Sequence, residues 1–308
     1  MDESRIPKIM KQGRVVPWLY IAPALLIMTA FIVYPGVNTF LLSFKNADAT
    51  QSAATACQEG ATCWGILENY RYALTSPIMR TAFRNNLLWG ILMVGGTVGL
   101  GLTIAVLADR VKYESLAKAI IFMPMAISFV GAGIIWKFVY AYGTSNVQIG
   151  LLNAIVTALG GEPISWLSEP AINNYALIVV GVWMWTGFCM TILSAALKNV
   201  PDEILEAARV DGANEWVVFW QIMVPIIMPT IAVVVTTMVI NVLKIFDIVY
   251  VMTGGNYGTE VIANRMYGEM YISHQSGRSA AIAVLLILLT TPFMVWNVRR
   301  FRAQEAIR

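Results

Sequence analysis

The stretch that decides the fold reads EAARVDGANEWVVFWQIMVP and occupies residues 206–225. It is an acid-rich run in a very hydrophobic chain, and it lies between two segments that are each long enough to cross a bilayer. A polar connection of this kind has no reason to be ordered unless something docks on it. The stretch therefore predicts a membrane protein with a structured loop on one side of the membrane.

The composition agrees with this interpretation. Of the 308 residues, 58% are hydrophobic and 13% are charged, whereas roughly a quarter of the residues in a soluble domain are charged. Too little polar surface exists to cover so much apolar side chain in water. Apolar runs of about twenty residues, the length that crosses the hydrocarbon core as a helix, recur along the chain. We predict six spans, at residues 17–44, 82–108, 116–140, 173–197, 222–251 and 279–296.

The apolar runs are continuous rather than alternating, which favours helices over a β-barrel as the way to satisfy the backbone in lipid. The sequence therefore predicts an all-α integral membrane protein. We divide it into a tail at 1–16, a first helix with an exported loop at 17–81, a core of five helices at 82–300 that includes the acidic loop at 198–221, and a tail at 301–308.

Lysine and arginine indicate the orientation. An even number of spans puts both termini on one side, together with the acidic loop. That side carries thirteen basic residues in its tails and loops and at the adjoining span ends, and the other side carries six. Because basic loops are retained in the cytoplasm, we expect both termini and the acidic loop to be cytoplasmic. The net charge of +3 is then a result of topology and does not indicate nucleic-acid binding.

Local chemistry predicts a helix-turn-helix in the acidic loop. Pro201 suits the first position of a helix, and Asp202 and Glu203 complement the positive end of its dipole. Asp211 and Gly212 then end this helix, because glycine tolerates the left-handed conformation that the turn demands.

A second helix is predicted from about Asn214 into the fifth span, bent by Pro225 and Pro229 at the membrane entrance. The alternative is an ordinary connection that lies flat on the lipid surface. Anionic headgroups would repel the acids of this loop, which argues against that alternative. These acids are Asp202, Glu203, Glu206, Asp211 and Glu215.

The stretch resembles the EAA loop of ABC-importer permeases, with Val224 where that family more often has Leu. The resemblance implies that the short helix fits a groove in an ATP-binding subunit, so that nucleotide-driven closure there moves the spans. The residues that this resemblance assigns to coupling are Glu206, Ala207, Ala208, Asp211, Gly212, Ala213 and Glu215.

Further motifs are similar to those of MalF-type permeases of carbohydrate uptake. They are RNNL at 84–87, FMP at 122–124 and VMTGG at 251–255. Three more runs look most like the α-glucoside branch, at 109–118, 149–154 and 244–250. The resemblance covers nearly the whole chain after its first tail and implies the type I importer fold in a bacterial inner membrane. The first exported loop is much shorter than that of the best-known maltose permease, so its contacts do not carry over.

The resemblance also implies partners: a second, related permease, two ATPase subunits, an extracytoplasmic solute-binding protein and membrane lipid. The expected substrate is a small α-glucoside such as maltose, trehalose, sucrose or glucosylglycerol. The sequence has no Gly-x4-Gly-Lys-Ser/Thr phosphate loop, so we expect ATP and Mg²⁺ to bind the ATPase subunits, and no cofactor or metal to bind this chain. We find no catalytic constellation and expect no enzyme activity.

The alternative function is an ion-coupled secondary sugar transporter. Such a protein usually shows buried carboxylates and inverted repeats, and only Asp247 qualifies here.

Polar residues inside spans are costly and are functional candidates by default. Asn241, Lys244 and Asp247 are spaced three apart in the fifth predicted span, which puts them near one helical face as candidates for a substrate pocket. The alternative is an internal Lys244–Asp247 ion pair, with Lys244 reaching the outer interface. Trp183 and Trp185 are candidates for stacking on a sugar ring, or for belt or packing positions.

The exported loops carry two further signals. Cys57 and Cys63 lie together in the first loop, where a disulfide is favoured over a metal site because no His or paired carboxylates accompany them. Cys189, in the fourth span, is expected to be a packing residue. The loop after the third span predicts an amphipathic helix on the outer surface, ended by Gly160 and Gly161. Its apolar residues are Ile149, Leu152, Ile155, Val156 and Leu159.

Overall fold

The computed structural model describes residues 16–45, 68–109, 111–143 and 150–305, and the regular elements in these ranges are helices. In chain order they are α1 (Val16–Met28), α2 (Tyr34–Leu42), α3 (Glu68–Thr75), α4 (Pro77–Ala108), α5 (Glu114–Phe122), α6 (Phe129–Val139), α7 (Leu151–Ala158), α8 (Asn173–Lys198), α9 (Asp202–Val210), α10 (Glu215–Val217), α11 (Val224–Leu243), α12 (Asp247–Met252), α13 (Ile262–Tyr271) and α14 (Ser276–Glu305). Two π-helical stretches, Thr29–Val33 and Val218–Met223, and a 3₁₀ turn at Met123–Ala126 join neighbouring helices.

Within the described ranges, five helical stretches are long and apolar enough to cross a membrane. They are Pro17–Leu42, Pro77–Ala108, Asn173–Lys198, Glu215–Leu243 and Ser276–Arg299. A sixth span consists of two helical pieces, Glu114–Ala126 and Phe129–Val139, that meet at an angle of 98°. With this bent pair taken as one span, the number and order of the predicted spans are confirmed.

The third span differs from the single helix predicted at 116–140. Pro124 stands in the 3₁₀ turn, where its missing N–H is tolerated, and Ile127 then takes an extended conformation with ψ 140°. Ser128 caps α6, because its hydroxyl accepts a hydrogen bond from the Gly131 N–H at 3.1 Å. The break is made of residues that also fit a hydrophobic run, so hydropathy alone does not reveal it.

The fifth span also ends earlier than the predicted range 222–251. Its helix ends at Leu243, and α12 begins at Asp247. The side-chain amide of Asn86, on α4, donates to the Val242 carbonyl at 3.1 Å and satisfies a group near the helix end. A tertiary contact therefore marks this boundary.

The centre of the bundle is the pair α4 and α8, which approach closely at glycines. A Cβ added to Gly101 would lie 2.7 Å from the Cβ of Cys189 and 2.9 Å from the backbone nitrogen of Met190. A Cβ at Gly187 would lie 2.5 Å from the carbonyl oxygen of Ile121 on α5. Small residues allow membrane helices to approach in this way. Cys189 is buried in this contact, which confirms its predicted packing role.

The predicted amphipathic helix is present as α7, with Gly160 at φ +84° directly after it. Its buried residue is the polar Asn153, whereas Leu151, Ile155 and Leu159 are exposed. An apolar outer face of this kind suits a helix that lies in a membrane interface. Ile149 lies outside the described residues.

Asn153 holds α7 to the rest of the chain. Its amide nitrogen donates to the carbonyls of Ala141 and Ile164, at 3.0 and 2.9 Å. Its amide oxygen accepts from the Ile164 N–H at 2.8 Å and from the Trp166 indole at 3.1 Å. One buried side chain thus satisfies the backbone of two irregular segments.

We predict that Gly101→Ala destabilises the protein by about 1–3 kcal/mol, because the new methyl group overpacks the α4–α8 contact. The matched control is Gly99→Ala on the same helix, where an added Cβ meets no atom within 4 Å. There the intrinsic helix preference of alanine should stabilise by up to about 1 kcal/mol. Thermal unfolding in detergent checks the opposite signs, and equal midpoints for the two variants would contradict the close contact.

Candidate functional site

The acidic loop folds as a helix-turn-helix at one end of the bundle. Its first helix, α9, packs through the buried Leu205 and carries Asp202 and Glu203 in its first turn, as predicted. Pro201 was predicted as the first helical residue, but it is the N-cap, with ψ 131°. The reason is that helical backbone angles begin only at Asp202.

The turn after α9 is a Schellman motif. Asp211 caps the helix, and Gly212 follows in the left-handed conformation with φ +86°. The Gly212 N–H donates to the Arg209 carbonyl at 3.1 Å, and the Ala213 N–H donates to the Ala208 carbonyl at 3.0 Å. The predicted role of the Asp211–Gly212 pair in ending the helix is confirmed.

The second helix begins where it is predicted to begin. The side chain of Asn214 caps it by accepting from the Val217 N–H at 2.9 Å, and helical structure continues over Glu215–Leu243 as one span. The π-helical stretch Val218–Met223 widens the helix just before Pro225, which accommodates the missing N–H of that residue. The turn is therefore connected to a spanning helix by continuous helical structure, so a displacement of the turn would also move that helix.

The two arms of the loop are joined across the turn by an ion pair, with 2.9 Å between Arg209 Nε and Glu215 Oε1. The outer face is accessible and chemically mixed. Val210 is 87% exposed, Trp216 is 72% exposed, and Glu206 is also exposed. Ala207, which the resemblance includes in the coupling set, is exposed as well. The face presents acids, small residues and large apolar side chains together.

The three polar candidates of the fifth span do not share one continuous helical face. Asn241 lies in the last turn of α11 and donates to the Thr237 carbonyl at 2.9 Å. Lys244 caps this helix, and Asp247 opens α12 beyond the break. The prediction of a single face was wrong because the helix ends between them. Among the described residues no ion pair joins Lys244 to Asp247 either.

Lys244 borders a cavity of about 410 Å³ that is otherwise nearly all apolar. The cavity is lined by Lys244, Phe246, Ala263, Met266, Tyr267, Ala283, Leu286, Ile287 and Thr290. Pockets of this kind combine an apolar wall with a few polar groups that orient a ligand.

Sequence reasoning missed an aromatic cluster beside this cavity. Phe246 stacks on Tyr250 with ring centroids 5.0 Å apart, and Tyr267 lies 5.0 Å from Tyr250 and 4.7 Å from Tyr271. The one available signal was the spacing of four between Tyr267 and Tyr271. The contacts of Tyr267 with Phe246 and Tyr250 are tertiary and leave no signal in the local sequence.

The two tryptophan candidates lie elsewhere. Trp183 contacts Trp136 with ring centroids 5.6 Å apart, and Trp185 stacks on Phe129 at 6.0 Å. These contacts pack α8 against α6, and neither tryptophan lines the cavity next to Lys244. The geometry agrees with the packing alternative.

At the end of the bundle opposite α9, the RNNL motif binds the segment that follows the VMTGG motif. Asn85 donates to the carbonyls of Gly258 and Glu260 at 2.7 and 2.8 Å. Asn86 accepts from the Ile262 N–H at 2.9 Å in addition to its contact with α11. Asn173 donates to the Tyr257 carbonyl at 2.8 Å. Side-chain amides thus fix the irregular link between α12 and α13.

Within this link, Glu260 is buried. Its Oε1 accepts from Asn264 at 2.5 Å and from the Val261 N–H at 3.1 Å. Burial raises the pKa of the Glu260 carboxyl above its ordinary value, and these two hydrogen bonds act in the opposite direction. Gly255 is required beside it, because a Cβ there would lie 2.7 Å from Glu260 Oε1.

The predicted Cys57–Cys63 disulfide lies outside the described residues. Within the described part of the chain, no three His, Cys, Asp or Glu side chains are grouped closely enough to hold a metal ion.

A helical bundle with six apolar spans and a protruding, capped helix-turn-helix defines a multi-pass membrane permease. A family model for the binding-protein-dependent transport system inner membrane component matches residues 97–300. The chain belongs to this family. Membership does not favour the alternative of an ion-coupled secondary transporter.

Curated relatives match almost end to end. The osmoprotective compounds uptake permease protein GgtC of Synechocystis is 54% identical over 94% of this chain and 100% of its own length. The α-glucoside transport system permease protein AglF of Rhizobium meliloti is 47% identical over 92% of this chain and 81% of its own length. The trehalose/maltose transport system permease protein MalF of Thermococcus litoralis is 28% identical over 98% and 99%. The predicted resemblance to MalF-type permeases is confirmed.

Solved structures agree on the fold. A chain of a bacterial ABC transporter involved in the import of the acidic polysaccharide alginate has a TM-score of 0.76 at 19% identity, covering 93% of this chain and 96% of that one. A chain of the MetNI methionine ABC transporter has a TM-score of 0.52, covering 75% and 99%. The predicted all-α, type I permease fold is confirmed.

We predict that Asn86→Leu destabilises the protein by about 1–3 kcal/mol, because the buried N–H of Ile262 loses its acceptor. The link between α12 and α13 should then become sensitive to protease near Tyr257. Thermal unfolding and limited proteolysis measure the two effects. Leu87→Ala, at an exposed neighbouring position, is the control, and equal behaviour of the two variants would refute the anchoring role of Asn86.

Proposed function

We propose that this chain is one of two permease subunits of an ABC importer, and that it moves a small α-glucoside inward by alternating access. The proposal rests on the exposed turn after α9 at Asp211 and Gly212. This turn leads directly into the continuous helical span Glu215–Leu243. A docking surface joined to a spanning helix is what a partner motor needs in order to move that helix.

The proposed partners are a second permease, two ATPase subunits that bind ATP and Mg²⁺, and an extracytoplasmic solute-binding protein. The family description supports a binding-protein-dependent system. The excess of basic residues on the side of the termini and of α9 supports a cytoplasmic position for both in the inner membrane. In this arrangement the exposed face around Glu206, Val210 and Trp216 contacts an ATPase.

The α-glucoside class is supported by two relatives, an osmoprotective compounds uptake permease and an α-glucoside transport system permease. The cavity beside Lys244 supports a site for a neutral hydroxylated ligand, since it joins aromatic rings to a few hydrogen-bonding groups. We propose Lys244, which lines this cavity, as a polar residue of the site, and Asn241 and Asp247, which stand outside the cavity lining, as further polar residues near it.

In the proposed cycle the binding protein delivers the sugar to a cavity between the two permeases. Closure of the ATPases displaces α9, and the displacement passes through Gly212 and α10 into the fifth span. The site then opens to the opposite side. In this cycle, closure of the ATPases moves the fifth span only if the turn keeps its shape. The backbone conformation of the turn is therefore critical for coupling.

Gly212→Val should lower sugar uptake by the reconstituted complex by about tenfold, because a β-branched residue is strained at φ +86° and the turn must rearrange. Binding-protein-stimulated ATP hydrolysis should lose its link to uptake. Both rates are measured in proteoliposomes.

The matched control is Gly160→Val, at φ +84° and with the same open surroundings, but at the opposite end of the bundle. It should stay near wild type. Normal uptake with normal stimulated hydrolysis in Gly212→Val counts against coupling through this turn. Sugar transport by vesicles that contain this chain alone contradicts the whole proposal.

Asn241→Ala and Lys244→Ala should each raise the KM for sugar uptake several-fold while the subunits still assemble, because each removes a protein group proposed to form a hydrogen bond with the ligand. Uptake at varied sugar concentration and size-exclusion of the complex give the two readouts. A variant with wild-type KM removes its residue from the site.

A further inference from the structure

Three helices meet at one ammonium group at the α9 end of the bundle. The Lys118 nitrogen, on α5, donates to Asp109 Oδ1 at the end of α4, to Glu114 Oε1 at 2.6 Å, and to the Ser194 hydroxyl on α8. The Ser194 hydroxyl donates in turn to Asp109 Oδ1 at 3.0 Å. A lysine ammonium has three N–H donors, and all three are used here.

The contacts continue along matching faces of α5 and α8. Gly187, Ser194 and Lys198 are spaced seven and four apart, so they share one face of α8. Opposite them on α5 lie Ile121, Lys118 and Glu114, in reverse order. The contact farthest from α9 is the backbone approach at Gly187, and the middle one joins Lys118 to Ser194. The lowest contact, nearest to α9, is the ion pair of Lys198 with Glu114.

The lowest contact is exposed, since about half of the Lys198 side chain is accessible, and pairs of this kind contribute little. Lys118 and Asp109 are about four-fifths buried, and Ser194 is almost completely buried. Removal of the lysine would leave Asp109 without its cation, facing the same space as Glu114, which would keep only the exposed Lys198. The two like charges would then push α4 and α5 apart.

The network lies between the coupling turn and the candidate pocket. α8 ends at Lys198 and α9 begins at Asp202, so only a short link separates them. α5 leads through the 98° bend to α6. There a Cβ on Gly133 would lie 3.0 Å from Val251 of α12, the helix that follows the Lys244 cavity.

We propose that Lys118 is a positioning residue for transport, which ties the lower half of the bent third span to α8 so that both move with α9. Displacement of α9 then reaches the pocket by two routes, directly through the fifth span and through α8, α5, α6 and α12. This inference rests on the proposed function, because it assigns a second path to the same ATPase-driven displacement of α9.

The test uses the complete complex in proteoliposomes and measures sugar imported per ATP hydrolysed. Lys118→Met should lower this ratio at least about fivefold, since loss of a coupling free energy of 1–3 kcal/mol corresponds to such factors. Glu114→Gln, which has the same shape, should lower it by a smaller factor. Lys112→Met is the matched control, because the exposed Lys112 makes no ion pair with another described residue.

An unchanged ratio in Lys118→Met overturns the inference, and so does a parallel loss of uptake and hydrolysis, which indicates a purely structural role. If Lys118→Met does not assemble, Glu114→Gln decides by the same ratio. Gly212→Val is measured beside them. If it lowers the ratio and the Lys118 variant does not, only this inference fails; if neither lowers it, the proposed function fails.

A second readout needs this chain alone. Spin labels at Tyr113 and Asn199, both exposed and close to the ends of α5 and α8, report the distance between the two helices after the native cysteines are replaced by alanine. One narrow distance is expected, with clear broadening in Lys118→Met and none in Lys112→Met. An equally narrow distribution in Lys118→Met overturns the inference.

Discussion

Backbone N–H and C=O groups have no water to bind inside a bilayer, so every interruption of a helix must be satisfied by the protein itself. In the described part of the chain, asparagine side chains satisfy the backbone at several such interruptions. Asn86 binds both the end of α11 and the start of α13, Asn85 binds the link between α12 and α13, and Asn153 holds the segments around α7. Because an amide both donates and accepts, one such residue can close a break from two sides.

These fixed breaks divide the molecule into parts of different stiffness. The glycine contact between α4 and α8 has no room for adjustment, since even one added methyl group would meet backbone atoms at Gly101. The third span, by contrast, is interrupted at Ser128, and the fifth ends at Leu243. A rigid central pair flanked by jointed spans is suited to a transporter, because motion is confined to defined joints and does not spread through the core.

Local chemistry in the sequence predicted the parts of the fold that depend on neighbours in the chain. The α9 turn was predictable because Asp211 and Gly212 end a helix by their own backbone preferences. The bend at Ile127 was not, because the Pro124 turn and the Ser128 cap lie within an apolar run. The break at Lys244 was not, because it also lies in an apolar run and its partner, Asn86, is distant in the chain. Lys244 could be assigned to a pocket because a charged residue in an apolar run is conspicuous in the sequence, whereas Tyr267 was missed. Two of the aromatic neighbours of Tyr267, Phe246 and Tyr250, come from a distant part of the chain.

The exposed Val210 and Trp216 have a consequence for the life of the protein in the cell. Both side chains are exposed, Val210 at the end of α9 between two spans and Trp216 in the first turn of the helix Glu215–Leu243, and water disfavours them until another surface covers them. A permease subunit made in excess of its motor would therefore display an adhesive patch that chaperones and proteases recognise. If these residues contact the ATPase as proposed, they would in this way keep the abundance of the permease matched to that of its ATPase.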